Sequence, residues 1–386
     1  MMFLCHRRKL LGLTGFSLAC TLLLCKLYLN NMKVRPVPSS SEGSSSLELE
    51  SRRKIPNVTR LNEVFVNATS VQIEGNVASN LSTDSDENLQ VYGLQNKFDV
   101  TPVNYKDAIF VTISGGRAGR LGNRMFQYAA LIGLTKEASK TQPGIFPVVE
   151  EDSHLNTLYG AFHLGGAKSG PIKLKHPVML LEDKPMTYCS RLLKEFLPGF
   201  NYTIMTYLQS WRYFANFSRT IRNEFKFKDS ILEEAKAFLR KAVNGSTENV
   251  TLIGVHVRRG DMTLSTSRKR GYTPANATYL HRAFKYYRSK YSNVLFIVCS
   301  DDFGWSQTHI KGKDVRFSVK LNPEVDLAIL SLCNHTIITS GSFGWWGAWL
   351  AGGDVVYYRN FPAPGSWLDS TCVRPDYFPK SWIGLA

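Results

Sequence analysis

The sequence predicts an α/β fold built on a parallel sheet, and three observations predict it. Beyond residue 249, short apolar runs alternate with helical stretches, which is βαβ order. The runs are β-branched and continuous rather than alternating, as strands covered on both faces are. Polar or small residues follow these runs, at the strand ends where an open parallel sheet borders its ligand crevice.

The chain has 386 residues, 44% hydrophobic and 20% charged, enough for a sizeable core. Its net charge of +16 suits nucleic acid, an acidic membrane or an anionic small substrate. The basic residues are dispersed and no zinc-finger, homeodomain or RNA-binding signature occurs, which argues against nucleic acid.

At the amino terminus His6-Arg7-Arg8-Lys9 precedes an apolar run from Leu10 to Cys25, extended to Leu29 if Lys26 snorkels. That run is just long enough for a bilayer core of roughly 30 Å. Residues 10–29 are therefore expected to be a transmembrane signal anchor rather than a cleaved signal peptide, which the brief apolar core would also suit but which no small-x-small site closes, with 1–9 as a cytosolic tail and the remainder translocated. Asn-x-Ser/Thr sequons at Asn57, Asn67, Asn80, Asn201, Asn216, Asn244, Asn249, Asn276 and Asn334 fit a lumenal chain. Cys189, Cys299, Cys333 and Cys372 would lie in the oxidising lumen, where three pairings are open, although Cys299 and Cys333 sit in apolar runs that suit plain core positions. No Cys-x-x-Cys or His/Cys metal spacing is present.

Residues 30–104 are Pro-, Ser- and Glu-rich without periodicity and read as a disordered stem. Asp84-Ser85-Asp86 within it imitates a metal-binding Asp-x-Asp pair, but with no apolar strand before it the pair reads as solvated charge.

Order is expected from about residue 108. A strand over 108–113 runs into Gly115-Gly116-Arg117-Ala118-Gly119-Arg120-Leu121-Gly122-Asn123 and then a helix over 124–140 with Met125, Tyr128, Ala129 and Ile132 on one face. The glycine turn can act as an anion-binding nest or simply as a tight turn. After a less clear stretch, a helix over 231–243 ends at Asn244-Gly245-Ser246, taken as a boundary between two halves. Then follow the strand Thr251–Val257, a helix over 279–291, a strand over 294–299, a helix over 324–333, a strand over 336–339, a helix from about Phe343 and a strand over 354–358.

Candidate chemistry gathers after these strands. His256-Val257-Arg258-Arg259-Gly260-Asp261 places two guanidinium forks at a strand end, matched to a diphosphate, or else forms a basic turn closed by an Arg–Asp pair. Asp301 and Asp302 can cap a helix or accept from a purine edge, Asp301 being expected as the cap and Asp302 as the base reader. Ser340-Gly341-Ser342-Phe343-Gly344 offers hydroxyls and N–H groups at a helix start. Trp345 and Trp346 suit either core packing or a sugar platform.

Together, Gly119 to Met125 with Tyr128-Ala129-Ala130-Leu131, His256 to Asp261, Ser300-Asp301-Asp302 with Trp305, and Thr339 to Trp346 with Ala351-Gly352-Gly353-Asp354 resemble the galactoside α-1,2-fucosyltransferase family over residues from about 109 onward. The resemblance implies two Rossmann-like domains facing a cleft (GT-B-like), an acceptor-side domain over 105–248 and a nucleotide-sugar domain over 249–386. It implies a Golgi membrane enzyme moving fucose from GDP-fucose, with inversion, to the 2-hydroxyl of a terminal galactose, and needing no metal. On that pattern Arg258 holds the donor diphosphate, His256 and Asp302 lie by the guanine, and Ser342 helps hold phosphate. Arg259, Gly122, Asn123, Asp301, Ser340, Phe343 and Gly344 complete the expected substrate contacts. Asp261 is the nearest carboxylate that could take the acceptor proton, or else an anchor for Arg258 or His256. Gly122-Asn123-Arg124-Met125 and Trp345-Trp346 depart from the familiar Gly-Asn-Gln-Met and Phe-Trp, which bears on the acceptor. Rival readings are a protein O-fucosyltransferase of the same fold and a noncatalytic lectin, although a neutral-sugar lectin does not need strand-end arginines. A sulfotransferase is disfavoured because the glycine loop lacks a P-loop-like lysine.

Overall fold

The computed structural model describes residues 108–386 apart from 115–118, 182–183, 195, 244–249 and 320–321. The expected tail, anchor and stem lie outside the described residues. So do Asn57, Asn67, Asn80, Asn244 and Asn249.

Two all-parallel sheets carry the fold. The first takes β1 (Ile109–Ile113), β2 (Ile145–Val149), β3 (Lys168–Ser169), β4 (Val178–Leu181) and β5 (Tyr202–Met205) in the order β3-β2-β1-β5-β4. The second takes β6 (Thr251–Val257), β7 (Val294–Ser300), β8 (Val315–Phe317), β9 (His335–Ile338), β10 (Val355–Tyr358) and β11 (Ile383–Leu385) in the order β11-β10-β9-β6-β7-β8. From β6 the chain winds outward one way through β7 and β8. It then returns to wind the other way through β9, β10 and β11, the dinucleotide-fold order with its switch point between β6 and β9. Five consecutive positions of β6, from Ile253 to Val257, are buried, as a central strand of such a sheet requires.

The helices explain how the two layers join. Helix α1 (Leu121–Ala138) buries almost every residue from Met125 to Thr135. A helix apolar all round must be covered all round, and this one packs on β1 and β2 and also on α8 (Ser342–Ala351) of the second layer. At that seam Phe126 lies 4.5 Å from Trp345 and 5.1 Å from Trp346 between ring centres. Both tryptophans are fully buried, and Trp345 Nε1 donates to Tyr377 O at 2.7 Å. They are core rather than a sugar platform.

The amphipathic α3 (Asp229–Val243) lies before the expected boundary at 248 yet packs on α7 (Pro323–Leu332). By packing it goes with the second layer. The remaining helices that matter are α2 (Ser218–Glu224), α4 (Ser265–Arg270), α5 (Ala277–Lys290) and α6 (Phe303–His309). Among the described residues, no helix is long and apolar enough to cross a membrane.

Candidate active site

Strand register sets the site. Val257 pairs with Ser300, and His256 with Ile338, so the residues that follow, Arg258-Arg259, Asp301-Asp302 and Thr339-Ser340, emerge abreast at the carboxyl edge. Two bonds fix the seam: Thr339 N donates to His256 O at 3.2 Å, and Arg258 N donates to Thr339 Oγ1 at 2.8 Å.

The arginines are held by carboxylates. Arg258 donates Nη1 to Asp301 Oδ2 at 2.5 Å and Nη2 to Asp261 Oδ1. Arg259 donates its backbone N–H to Asp301 Oδ1 at 2.8 Å, Nε to Asp302 Oδ2 at 3.2 Å and Nη1 to Ala275 O at 3.1 Å. Its guanidinium lies 3.8 Å from the centre of the Trp305 ring, a cation–π contact that fixes the fork's plane. Such bonds orient the guanidiniums before any ligand arrives. The side chains of Arg258 and Arg259 are only 16% and 14% exposed, whereas that of Asp261 is 50% exposed, so Asp261 is the partner that water can most readily replace.

The roles of the two aspartates differ from expectation. Asp302, not Asp301, caps α6, its Oδ1 accepting from Trp305 N at 3.1 Å. Asp301 is the anchor of Arg258 and of the Arg259 backbone. The shift arises because β7 runs through Ser300, one residue further than its apolar run, so the helix start moves one residue on. Asp261 stands as the Arg258 anchor and also lies 3.6 Å from Arg120 of the first layer. Among the described residues it makes no hydrogen bond or ion pair with His256.

His256 is buried beneath this row, its ring 5.2 Å from that of Phe343. Burial, with Arg258 adding to it, pulls the imidazole down to about 3, so it is neutral at physiological pH. Its Nδ1 is buried without a partner among the described residues. A Cβ on Gly344 would stand 2.3 Å from that atom, so glycine is required where α8 passes the ring.

The start of α8 faces the start of α1. Gly341, at φ 88°, turns the chain into α8 and supplies no side-chain cap, which leaves the N–H groups of the first turn free of a side-chain acceptor. Ser340 Oγ donates to Thr273 O at 3.2 Å, steadying the loop before α5. Ser342 Oγ donates to Asn123 Oδ1, which also accepts from Gln209 Nε2 at 2.7 Å. Gly122 allows this approach, since a Cβ there would stand 2.7 Å from Phe343 N. Residues from both layers thus meet over one edge. Gly122, Asn123, Ser342 and Phe343 lie at the seam, while His256, Arg258, Arg259, Asp261, Asp301 and Asp302 lie beside it.

The family is settled by comparison with known proteins. The model for glycosyl transferase family 11 matches residues 192–386. Galactoside 2-α-L-fucosyltransferase Sec1 of Mus musculus is 35% identical over 283 residues, covering 69% of this chain and 72% of that protein. The chain belongs to glycosyl transferase family 11. Another similar member, galactoside α-(1,2)-fucosyltransferase 2 of Mus musculus, is 31% identical over 339 residues, 83% of this chain and 92% of that protein. Among solved structures, NodZ α-1,6-fucosyltransferase soaked with GDP-fucose aligns with a TM-score of 0.40 at 15% identity, over 64% of this chain and 93% of that one.

Several residues of this family 11 site lay beyond sequence reasoning. Gln209, which bonds Asn123, follows a short strand that gave no pattern, and Thr273, which accepts from Ser340, sits in a loop with no motif. The described sequons also divide. Asn216, Asn276 and Asn334 are exposed, whereas Asn201 is buried at the entry to β5 with its Oδ1 enclosed. Asn276 Oδ1 caps α5, accepting from Tyr279 N at 2.9 Å, and Asn334 Oδ1 accepts from Leu252 N at 2.8 Å. Cys189, Cys299, Cys333 and Cys372 are all free thiols, Cys299 and Cys333 in the core.

Proposed function

We propose that this family 11 chain transfers L-fucose from GDP-β-L-fucose to the 2-hydroxyl of a terminal galactose, inverting the donor carbon to give an α-1,2 linkage. The observation that carries the donor half is the pre-oriented Arg258–Arg259 pair at the switch point, beside the open first turn of α8. The names of the related family members, which act on galactosides, carry the acceptor half.

In a single displacement the acceptor oxygen attacks the fucose anomeric carbon as the bond to GDP breaks, and negative charge grows on the leaving phosphate. Fixed donors aimed at that charge can contribute several kcal/mol in a site that excludes water. Arg258 and the N–H groups at the start of α8 are placed to do this. The diphosphate would displace the half-exposed Asp261 from the Nη2 edge of Arg258, and the released carboxylate would then accept the proton of the attacking hydroxyl. Asp301 keeps Arg258 aligned through Nη1 during the exchange. Neutral His256 and Asp302 flank the guanine, Asp302 offering the Oδ2 that now holds Arg259 Nε.

Because the arginines and the helix start supply positive potential, the reading includes turnover without a divalent metal. It also includes anchorage of residues 10–29 in the Golgi membrane with the catalytic layers in the lumen. The test is GDP release from GDP-fucose by the full chain in detergent, with terminal-galactose acceptors and EDTA present, followed by linkage analysis of the product. An α-1,2-fucosylated galactoside is the expected product, and transfer only to a polypeptide hydroxyl would overturn the acceptor half.

A further inference from the structure

Two tyrosines at the cleft take no part in the donor chemistry. Tyr207 follows β5 of the first layer, and its ring lies against Gly119, with Cε1 3.5 Å from where a Cβ on that residue would stand. Tyr272 follows α4 of the second layer. Its backbone N–H donates to Ser267 O at 3.1 Å and the next residue's carbonyl, Thr273 O, accepts from Ser340 Oγ at 3.2 Å, which sets Tyr272 beside the strand-end row; burial raises its hydroxyl above the usual tyrosine range. Neither hydroxyl has a hydrogen-bond partner among the described residues. Both residues are only partly buried, so these hydroxyls are open to a ligand, unlike those of the fully buried tyrosines. Here Tyr128 donates to Glu224 Oε2 at 2.8 Å, Tyr279 to Ile338 O at 2.7 Å and Tyr287 to Asp354 O at 2.8 Å.

The backbone beside Tyr207 is an independent signal. Leu208, fully buried, sits at φ 48°, a left-handed conformation that a branched side chain rarely adopts. It is held there by bonds on either side. Gln209 N donates to Pro185 O at 2.6 Å, Ser210 N to Leu208 O at 2.8 Å, and Gln209 Nε2 to Asn123 Oδ1 at 2.7 Å. With Gln209 tied to Asn123, the strained turn sets Tyr207 against Gly119, its hydroxyl unengaged among the described residues.

Building on the fucosyl-transfer reading, we propose that Tyr207 and Tyr272, one from each layer, form with Asp261 the subsite for the acceptor pyranoside. The two ring faces would cover the C–H face of a neutral sugar. The two hydroxyls would bind sugar hydroxyls, leaving the attacking hydroxyl toward Asp261. Planar aromatic faces with unengaged hydroxyls suit a neutral pyranoside, which offers both an apolar face and a ring of hydroxyls. Neither tyrosine needs the nucleotide.

The test is steady-state kinetics of wild type, Tyr207→Phe and Tyr272→Phe with both substrates varied, alongside melting curves that establish folding. Each phenylalanine keeps the ring and deletes one hydroxyl. Acceptor KM should rise about tenfold in each variant, the effect of one lost hydrogen bond, while KM for GDP-fucose stays within about twofold. The inference fails if acceptor KM is unchanged in both, or if the donor KM is the one that rises. Wild-type turnover on galactosides is measured first, because its absence defeats the fucosyl-transfer reading by itself. In that event tyrosine-fluorescence titration with methyl β-galactoside decides the subsite: binding weakened in both variants supports it, and no wild-type binding refutes it.

Discussion

Replacing Gly122 by alanine should separate the two helices that build the site. Gly122 is the second residue of α1, and a Cβ there would stand 2.7 Å from Phe343 N, 2.7 Å from Ser342 C and 2.8 Å from Ser342 Oγ. Two of those atoms are backbone in the first turn of α8 and cannot rotate away. Reaching the 3.4 Å at which ordinary contact begins requires α1 and α8 to part by about 0.7 Å, the difference from 2.7 Å. In an open helix interior, glycine to alanine stabilises by roughly 1 kcal/mol. Here overpacking of about 1–3 kcal/mol reverses the sign. The parting also strains the Ser342–Asn123 and Gln209–Asn123 bonds. At roughly 2–4 °C per kcal/mol for a domain of this size, Tm should fall by several degrees. Because displacements of this order at a catalytic constellation cost up to about 100-fold, kcat/KM should fall at least tenfold. Melting curves and steady-state kinetics on Gly122→Ala test this. An unchanged or higher Tm with full kcat/KM would refute the view that close approach of α1 to α8 builds the site.

Asp301→Asn should raise KM for GDP-fucose about tenfold, because it removes the charge that aligns Arg258 while leaving the chain folded; a wild-type KM would show that Arg258 needs no such anchor. Asp302→Asn should keep Tm within a degree or so, since asparagine caps as well as aspartate, yet raise KM for GDP-fucose, and a large Tm loss with unchanged KM would confine Asp302 to capping. His256 is held neutral in the fold but titrates near 6.5 when unfolded, so protons bind the unfolded chain preferentially between about 6.5 and about 3. Stability from this group is therefore complete above about 6.5 and declines on acidification by up to about 1.4 kcal/mol per pH unit. The drop in Tm from pH 7 to 5 should be smaller in His256→Gln than in wild type, and equal drops would contradict the burial argument.

Where apolar runs were long, the fold was readable. Thr251–Val257 is a strand from end to end, and the elements expected after it fall within a few residues of their places because burial on both faces leaves a continuous signal, whereas the short helices α4 and α6 and the short edge strands β8 and β11 were not foreseen as spans. The region between residues 140 and 229 was opaque for physical reasons. Pro147 sits inside β2, tolerated because β3 pairs only with Val148 and Val149. Strand β3 is two residues long, and exposed Val178, Met179 and Met205 blur β4 and β5. The arginine pair was legible because its chemistry is local to one motif. Sequence alone puts the cap on Asp301 instead of Asp302, since either can cap a helix and only the end of β7 decides. The Gly122–Phe343 approach and the Tyr207–Tyr272 pairing join residues far apart in the chain, and no local pattern encodes them.

The most direct test of the central claim, that Arg258 grips the donor diphosphate without a metal, is calorimetric titration of GDP into wild type and Arg258→Lys in EDTA, with melting curves confirming that both are folded. Lysine keeps the charge and loses the fork. Wild type should bind GDP in EDTA, and the variant should bind about 10- to 150-fold more weakly, as the loss of a charge-assisted hydrogen bond of about 1.5–3 kcal/mol requires. Equal affinity in the two proteins, or wild-type binding only after a divalent cation is added, would contradict it.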